Sequence, residues 1–323
     1  MIAYMPTIYP DELVYSWFCR YYVHSGCFSH KTVLQELYCK KSDYLSKEFI
    51  GNLNDEAMEQ IGEIYSLNKL VLDYTMYPQY ARFVPLAKKK DALYRLGHDS
   101  CDVHYLFPVL PRNDGERYLR FCPLCVKEDR EIYGEAYWHR KHQIRNMCIC
   151  TQHKCRLMES SVPAKSEQSF TFFPAEKYTY DREAVFENDL SVIQYMEYLV
   201  SVFDSVMDYD NDIPISSILY DGMSRTKYLK PSGRSRYTKL LANDMSEFYG
   251  SMGICNIVSV YQIQRILLGS LSEFSAICQI AFFLGMKPEE LTAPSLTSEQ
   301  IKQEQDVTRH FIVDGNSILY STD

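Results

Sequence analysis

The sequence predicts a mainly α-helical protein interrupted by one non-helical insert, and three observations carry that prediction. Apolar residues recur at helical spacing through the first hundred residues and again beyond residue 180. Between residues 106 and 165 that periodicity stops, and prolines, cysteines, histidines and arginines gather instead. The composition, 46% hydrophobic and 24% charged over 323 residues, is that of a globular chain able to bury a core without covalent staples.

Each element follows from its own pattern. Residues Asp11 to Tyr22 place Leu13, Val14, Trp17, Phe18 and Tyr21 on one face, with Pro10 at the start and Asp11 and Glu12 near the positive end of the dipole. Helical patterns follow over Thr32 to Cys39, Asp55 to Tyr65 and Lys88 to Leu96, with breaks near Gly51, Pro78 and Pro85. From Asp181 to Asp212 nine carboxylates face the single Arg182, yet Ile193, Met196, Leu199, Val200 and Phe203 keep helical spacing; this reads as a solvated amphipathic helix. Residues 241 to 310 return to helices, with a three-element unit over Val258 to Gly269, Ser272 to Leu284 and Pro288 onward. Borders near Pro111 and residue 180 divide the chain into 1–110, 111–180 and 181–323.

The insert carries the most specific chemistry. In RFCPLCVKEDREIYGEAYWHRKHQIRNMCICTQHKC, Cys122 and Cys125 form one C-x2-C knuckle, and Cys150 with His153 forms C-x2-H. Two such turns, 24 residues apart, aim four donors at one point and complete a tetrahedron with no open position, as in a structural zinc site. Cys148 or Cys155 can stand in for Cys150, since the candidates crowd together, and buried free thiols are the bland reading. The stretch Glu135 to Ile144 suits an extended ribbon. The fold class is therefore mainly α-helical with an inserted zinc-ribbon or zinc-finger segment and helix-turn-helix-like elements.

Charge sorts the partners. The chain carries 34 basic and 42 acidic residues, a net of −8, so contact with nucleic acid must come from a local basic patch. One candidate is Arg140, Lys141 and His142 beside Tyr137 and Trp138, against the reading that Trp138 packs the insert and the charges are solvated. The other is Arg225, Lys227, Lys230, Arg234, Arg236 and Lys239, with Tyr228 and Tyr237 interleaved and no acid between them. The competing reading there is internal pairing with the preceding acids. Ala281, Gly285 and Leu291 have helix-turn-helix spacing, but Glu289 and Glu290 open the would-be recognition helix, which suits packing or a partner better than base reading. Tyrosine is the outlier at 27 copies and reads first as core, second as contact surface. Eleven cysteines, no basic-then-apolar leader and no long apolar run point to a soluble, intracellular, cytoplasmic chain. No H-x-E, H-E-x-x-H, Walker loop, G-x-S-x-G or G-x-G-x-x-G occurs, so catalysis has no support beyond a remote metal-dependent reading through Glu135, His139 and His142.

The pieces YPDEL with Ser16 and Arg20, RFCPLCVKED, YGEAYWHRKHQI and ICTQH, together with the knuckle separation, resemble the TniQ/TnsD family of transposon target-selection proteins. SRYTKLLANDMSEFYG, YQIQRILLGS and ICQIAFFLGMKPEELT are similar to the region that follows in TnsD-type members. The sequence departs at Arg145-Asn146, where members often carry a glycine or proline turn, and ends soon after its C-terminal helices. The resemblance implies a non-enzymatic protein of the bacterial nucleoid that marks attachment-site double-stranded DNA and recruits an AAA+ regulator of the TnsC type. The alternative within the same system is an adaptor to an RNA-guided complex that reads no sequence itself.

Overall fold

The computed structural model describes residues 2, 4–39, 46–51, 53–98, 107, 117–164, 171–229 and 237–294. Two compact units emerge, one of Met1–Ala81 with Ala87–Asn188 and one of Arg82–Leu86 with Asp189–Asp323.

The first unit begins with α1 (Val14–His24), which opens three residues later than the acids at 11 and 12 suggest. Asp11 takes a left-handed backbone, φ 56°, which ends any helix there, and Leu13 is the N-cap. Asp11 and Glu12 are therefore not dipole partners; Asp11 accepts from the distant Lys141 N, and Glu12 accepts from the Arg20 guanidinium. The one-sided reading of α1 also needs correction, because Val14 through Tyr21 are buried all round. Trp17 is wholly enclosed and its indole donates to the Pro6 carbonyl. Four helices precede the next break: α2 (His30–Leu37), α3 (Asp55–Ile64), α4 (Leu67–Tyr74) and α5 (Tyr77–Ala81). Asn54 caps α3 by accepting from Ala57 N at 2.8 Å. Pro78 does not break a helix but lies in the first turn of α5, where its missing N–H costs nothing. The pattern around Lys88 becomes α6 (Leu86–His98), directly after Pro85.

The insert is not devoid of helix. Between β1 (Tyr118–Phe121) and the remaining strands stands α7 (Pro123–Tyr133), an 11-residue helix that starts at the first knuckle and ends on Gly134 at φ 82°. The expected ribbon over Glu135 to Ile144 is instead an irregular segment with one 3-10 turn, Lys141–Gln143. It meets α1 from the side: His139 bridges Glu12, and Leu13 N donates to the Trp138 carbonyl. Backbone groups spent on α1 are unavailable for a ribbon partner. Two small antiparallel sheets complete the insert. β2 (Ile149–Cys150) pairs β3 (Cys155–Arg156), with Cys150 opposite Cys155, and β1 pairs β4 (Met158–Pro163) with a bulge between Tyr118 and Arg120. A short helix, α8 (Ala175–Tyr178), follows.

The second unit is helical: α9 (Leu190–Asp204), α10 (Ile215–Ser224), α11 (Thr238–Ser251), α12 (Val260–Leu267), α13 (Phe274–Phe283) and α14 (Pro288–Thr292). α9 is less solvated than its flanking acids suggest. Val192, Tyr195, Met196, Tyr198, Leu199, Val202 and Phe203 are buried, while Ile193 and Val200 are only half-buried, so the buried stripe is rotated from the one the sequence suggests. Its C-terminal carbonyls at Phe203 and Ser205 accept from the Arg82 guanidinium. Ser259 and Gln262 form a capping box on α12. Gly285, at φ 71°, reverses the chain after α13, and Met286 N returns to the Ala281 carbonyl. In α14 the Glu290 carboxylate accepts from Lys287 N and from Arg225, so it is engaged internally.

Tyrosine serves the core. Tyr15, Tyr77 and Tyr249 are buried, yet each hydroxyl is bonded: Tyr15 accepts from Phe173 N, Tyr77 donates to the Lys89 carbonyl, and Tyr249 donates to the Gln279 carbonyl. This is the way a phenol occupies a core position without an orphaned polar atom.

Candidate metal centre and its supporting network

Cys122 closes β1 and is the N-cap of α7; Pro123 fixes the first helical residue, and Cys125 N donates to the Cys122 sulphur at 3.4 Å. This tight turn points both knuckle thiols the same way. The second knuckle is the β2–β3 hairpin: Cys150 ends β2, His153 sits in the turn, and Lys154 takes a left-handed φ of 52° to return the chain to Cys155.

The ligand atoms of Cys122, Cys125, Cys150 and His153 all lie within 4.8 Å of one another. His153 Nδ1 is 3.4 Å from Cys122 Sγ, 3.3 Å from Cys125 Sγ and 3.7 Å from Cys150 Sγ, and Cys125 and Cys150 are 3.7 Å apart. A tetrahedral ion with metal–sulphur bonds near 2.3 Å sets its sulphurs about 3.8 Å apart, so the donor set has the dimensions to hold one metal ion. Burial of all three cysteines supports this, because such a group of thiolates is tolerable in the interior only around a cation. The tetrad includes Cys150. Cys148 is not part of it, and Cys155, buried and 3.3 Å from Cys122 Sγ, stands just outside.

The histidine ligand has a support that sequence reasoning missed. Glu128, one turn beyond Cys125 on α7, places Oε1 2.9 Å from His153 Nε2 while its other oxygen accepts from Gln152. A carboxylate there fixes the imidazole with Nδ1 facing the thiols. Glu128 at i+3 from Cys125 on one helix face was the available signal. His142, expected on a DNA-contacting surface, lies buried with Nε2 3.8 Å from Cys125 Sγ. Burial pushes its pKa down to about 4, so a neutral ring backs the cluster.

Of the remaining predicted residues of this stretch, Arg140 faces inward and Lys141 is half-buried. Arg140 is buried; its backbone N–H donates to the Asp11 carbonyl and its guanidinium to the Leu72 carbonyl at 2.8 Å. Lys141 N donates to the Asp11 carboxylate at 3.1 Å. His139 Nε2 is 2.9 Å from Asp129 of α7; burial opposes its charge, but the Asp129 hydrogen bond prevails and the pKa rises. Trp138 is fully enclosed, its indole donating to the Phe173 carbonyl and its backbone N–H to Ser16 Oγ at 2.9 Å. Packing, rather than phosphate contact, is what Trp138 does.

These contacts explain why the two distant pieces YPDEL…Ser16…Arg20 and YGEAYWHRKH occur together. Arg20 is the hub. Its Nη1 donates to Glu12 at 2.9 Å and to the Thr7 carbonyl, its Nε donates to Glu135 at 2.9 Å, and its guanidinium lies 3.5 Å over the Tyr9 ring. Tyr9 in turn stacks on Tyr133 at 4.1 Å. Burial pushes the Glu12 carboxyl up to about 7 against the pull of Arg20. Glu135 goes the other way: burial opposes ionisation, but hydrogen bonds from Arg20 and His24 outweigh it and hold the carboxyl below its ordinary range. Glu135 is thus tied into this network with Arg20 and His24.

The second basic stretch lies partly within the described residues. Arg225 pairs with Glu290 at 2.5 Å and with Asp221 at 3.6 Å, and Lys227 pairs with Asp244 at 2.7 Å. Tyr228 is buried and donates to Asp244. Tyr237 N donates to the Tyr228 carbonyl, and Lys239 lies exposed in the first turn of α11. Lys230, Arg234 and Arg236 lie outside the described residues. Of the helix-turn-helix spacing, Ala281 and Leu291 are buried and Gly285 turns the chain, while α14 spans only five residues. Among the described residues no helix is long and apolar enough to cross a membrane.

Comparison with known proteins agrees with the motifs. Residues 3–157 match the TniQ family model. Over 152 residues the chain is 29% identical to the transposon Tn7 transposition protein TnsD of Escherichia coli, an alignment covering 46% of this chain and 30% of that protein. The match encloses both the Arg20 hub and all four metal-binding candidates. Residues 3–157 of this chain are thus similar to the TniQ family, and the aligned part to a TnsD.

Proposed function

We propose that this chain selects the insertion site of a transposon: it binds attachment-site double-stranded DNA and recruits an AAA+ regulator of the TnsC type, which engages the transposase. The observation that carries this reading is the TniQ match over residues 3–157, with a Cys3His donor set in its last part and a TnsD as a relative. The metal is zinc. Three thiolates and one imidazole suit that ion, and four protein donors leave no position for substrate, so its role is structural. It fastens α7 to the β2–β3 hairpin and, through α7 and the segment after it, holds the YPDEL end of α1 in place. Phosphates meet the stretch Arg225, Lys227, Lys230, Arg234, Arg236, Tyr237 and Lys239.

A second reading within the same system, an adaptor that links an RNA-guided complex to the regulator, is favoured by specific observations. The chain is net −8, Arg225 and Lys227 already pair with carboxylates, and Arg140 and His142 are interior. Selection of sheared host-genome fragments by zinc-loaded protein at near-physiological salt separates the two. Enrichment of a single locus supports direct target reading. Uniform recovery by a folded protein rejects it in favour of the adaptor.

A further inference from the structure

We infer that Cys155 is the resolving thiol of an oxidation site at the metal centre, so that on oxidation Cys122 leaves the metal and forms a disulfide with Cys155. The inference rests on the tetrad holding a metal ion. Its ground is the placement of a fifth sulphur. The sulphurs of Cys122 and Cys155 stand 3.3 Å apart, closer than the 3.7 Å between those of Cys125 and Cys150. Cys155 lies outside the four-donor group, so a bound ion does not restrain it as it restrains the other cysteines. Both are wholly buried in one thiol cluster, in which Cys155 is fixed by β-pairing on two sides, to Cys150 and to Phe186. The segment at 185–187 lies along the strand that carries Cys155, joined by Arg156 N to the Val185 carbonyl, Glu187 N to the Lys154 carbonyl and an Arg156–Glu187 ion pair, and Val185 and Phe186 are exposed. Local opening of this two-residue pairing beside an exposed segment admits a small oxidant without global unfolding.

The chemistry balances with hydrogen peroxide as oxidant. The Cys122 thiolate attacks one peroxide oxygen, the O–O bond breaks, and with one proton the products are Cys122 sulfenic acid and water. The Cys155 sulphur then attacks the sulfenic sulphur; the S–O bond breaks and hydroxide leaves as water with the Cys155 proton. Two thiols are oxidised to one disulfide, and one peroxide is reduced to two waters. The ion is left with Cys125, Cys150 and His153 and dissociates into a chelator.

The test treats metal-loaded full-length protein with hydrogen peroxide. It follows metal release with a chromogenic chelator and maps disulfides by peptide mass spectrometry without reduction. The wild-type chain should yield the Cys122–Cys155 peptide pair in step with release of its metal, both reversed by a dithiol and fresh metal. Cys155→Ala should retain its full metal content before oxidation and release it about fivefold more slowly or less, because the sulfenic acid lacks its partner. A wild-type map pairing Cys122 with Cys125, or showing no disulfide, overturns the inference, as does wild-type release by Cys155→Ala. The wild-type map needs no variant to fold. A chain that holds no metal before oxidation fails at the metal reading instead, which the initial metal assay separates from failure of the thiol pairing.

Discussion

Arg20 shows how much one side chain can organise. It is 4% exposed, faces Glu12 at 0%, and spreads its fork over two carboxylates and a backbone carbonyl. Arg20→Ala leaves Glu12 buried without its counter-charge, so a loss of about 3–5 kcal/mol in unfolding free energy is expected. Arg20→Lys should recover only part of it, since an ammonium cannot reproduce the fork; thermal or urea unfolding of the two variants measures both. Glu135 gives a pH signature. Its carboxyl is held below its ordinary value of 4.5, so its contribution is fully present above about pH 4.5 and is lost as pH falls through the lower folded value. The stability difference between wild type and Glu135→Gln should be constant at pH 5 to 6 and shrink below 4.5. A difference unchanged down to pH 3 contradicts the pairing. These roles were only half legible. The sequence singled out Pro10, Asp11, Glu12, Ser16 and Arg20, but a local rule about helix dipoles assigned the acids to α1. Their partners stand far along the chain, at Lys141, Trp138 and Glu135, and no spacing rule reports such pairs.

At the scale of elements, turn chemistry separates what was legible from what was not. The C-x2-C and C-x2-H knuckles were readable because the positions of their donors within each turn are local. The helix α7 between them was not, because its surface mixes Lys127, Glu128, Asp129, Arg130 and Glu131 and lacks a plain apolar stripe. Its stability comes from Cys122 at its N-cap, Gly134 at its end and packing of Val126 within the insert. Arg145-Asn146, where a glycine or proline turn is common in the family, is explained by Asn146 at φ 62°. Asparagine tolerates this left-handed backbone. Asn146→Gly should therefore be near neutral, whereas Asn146→Val should cost roughly 1–2 kcal/mol or more in an unfolding titration. Equal stabilities for the two variants contradict a conformational role for the residue. The acidic stretch from 181 to 212 gave the helix α9 correctly and its solvation wrongly, since only Glu197 and Asp204 of those carboxylates lie within the helix itself.

At the scale of the whole molecule, net charge and metal decide different questions. A chain at −8 holds DNA only through a local surface, and the stretch from Arg225 to Lys239 is where the proposed function puts it. Arg234→Ala with Arg236→Ala should lower DNA affinity and flatten its dependence on salt by roughly one to two units of slope. An unchanged slope removes this stretch from the interface. The helical class and the donor set of the insert were legible because periodicity and knuckle spacing are properties of short segments. The joining of α1 to the insert was not, because it rests on contacts such as Ser16 to Trp138, 122 residues apart. That joining is what the metal is held to secure. Metal analysis of the purified chain with its unfolding curve, before and after a strong chelator and beside Cys122→Ser, tests it most directly. One tightly bound zinc per chain is expected, with the cooperative transition of the first unit lost on chelation and absent in Cys122→Ser. A metal-free chain that unfolds cooperatively at the same temperature, with Cys122→Ser indistinguishable from wild type, contradicts the account.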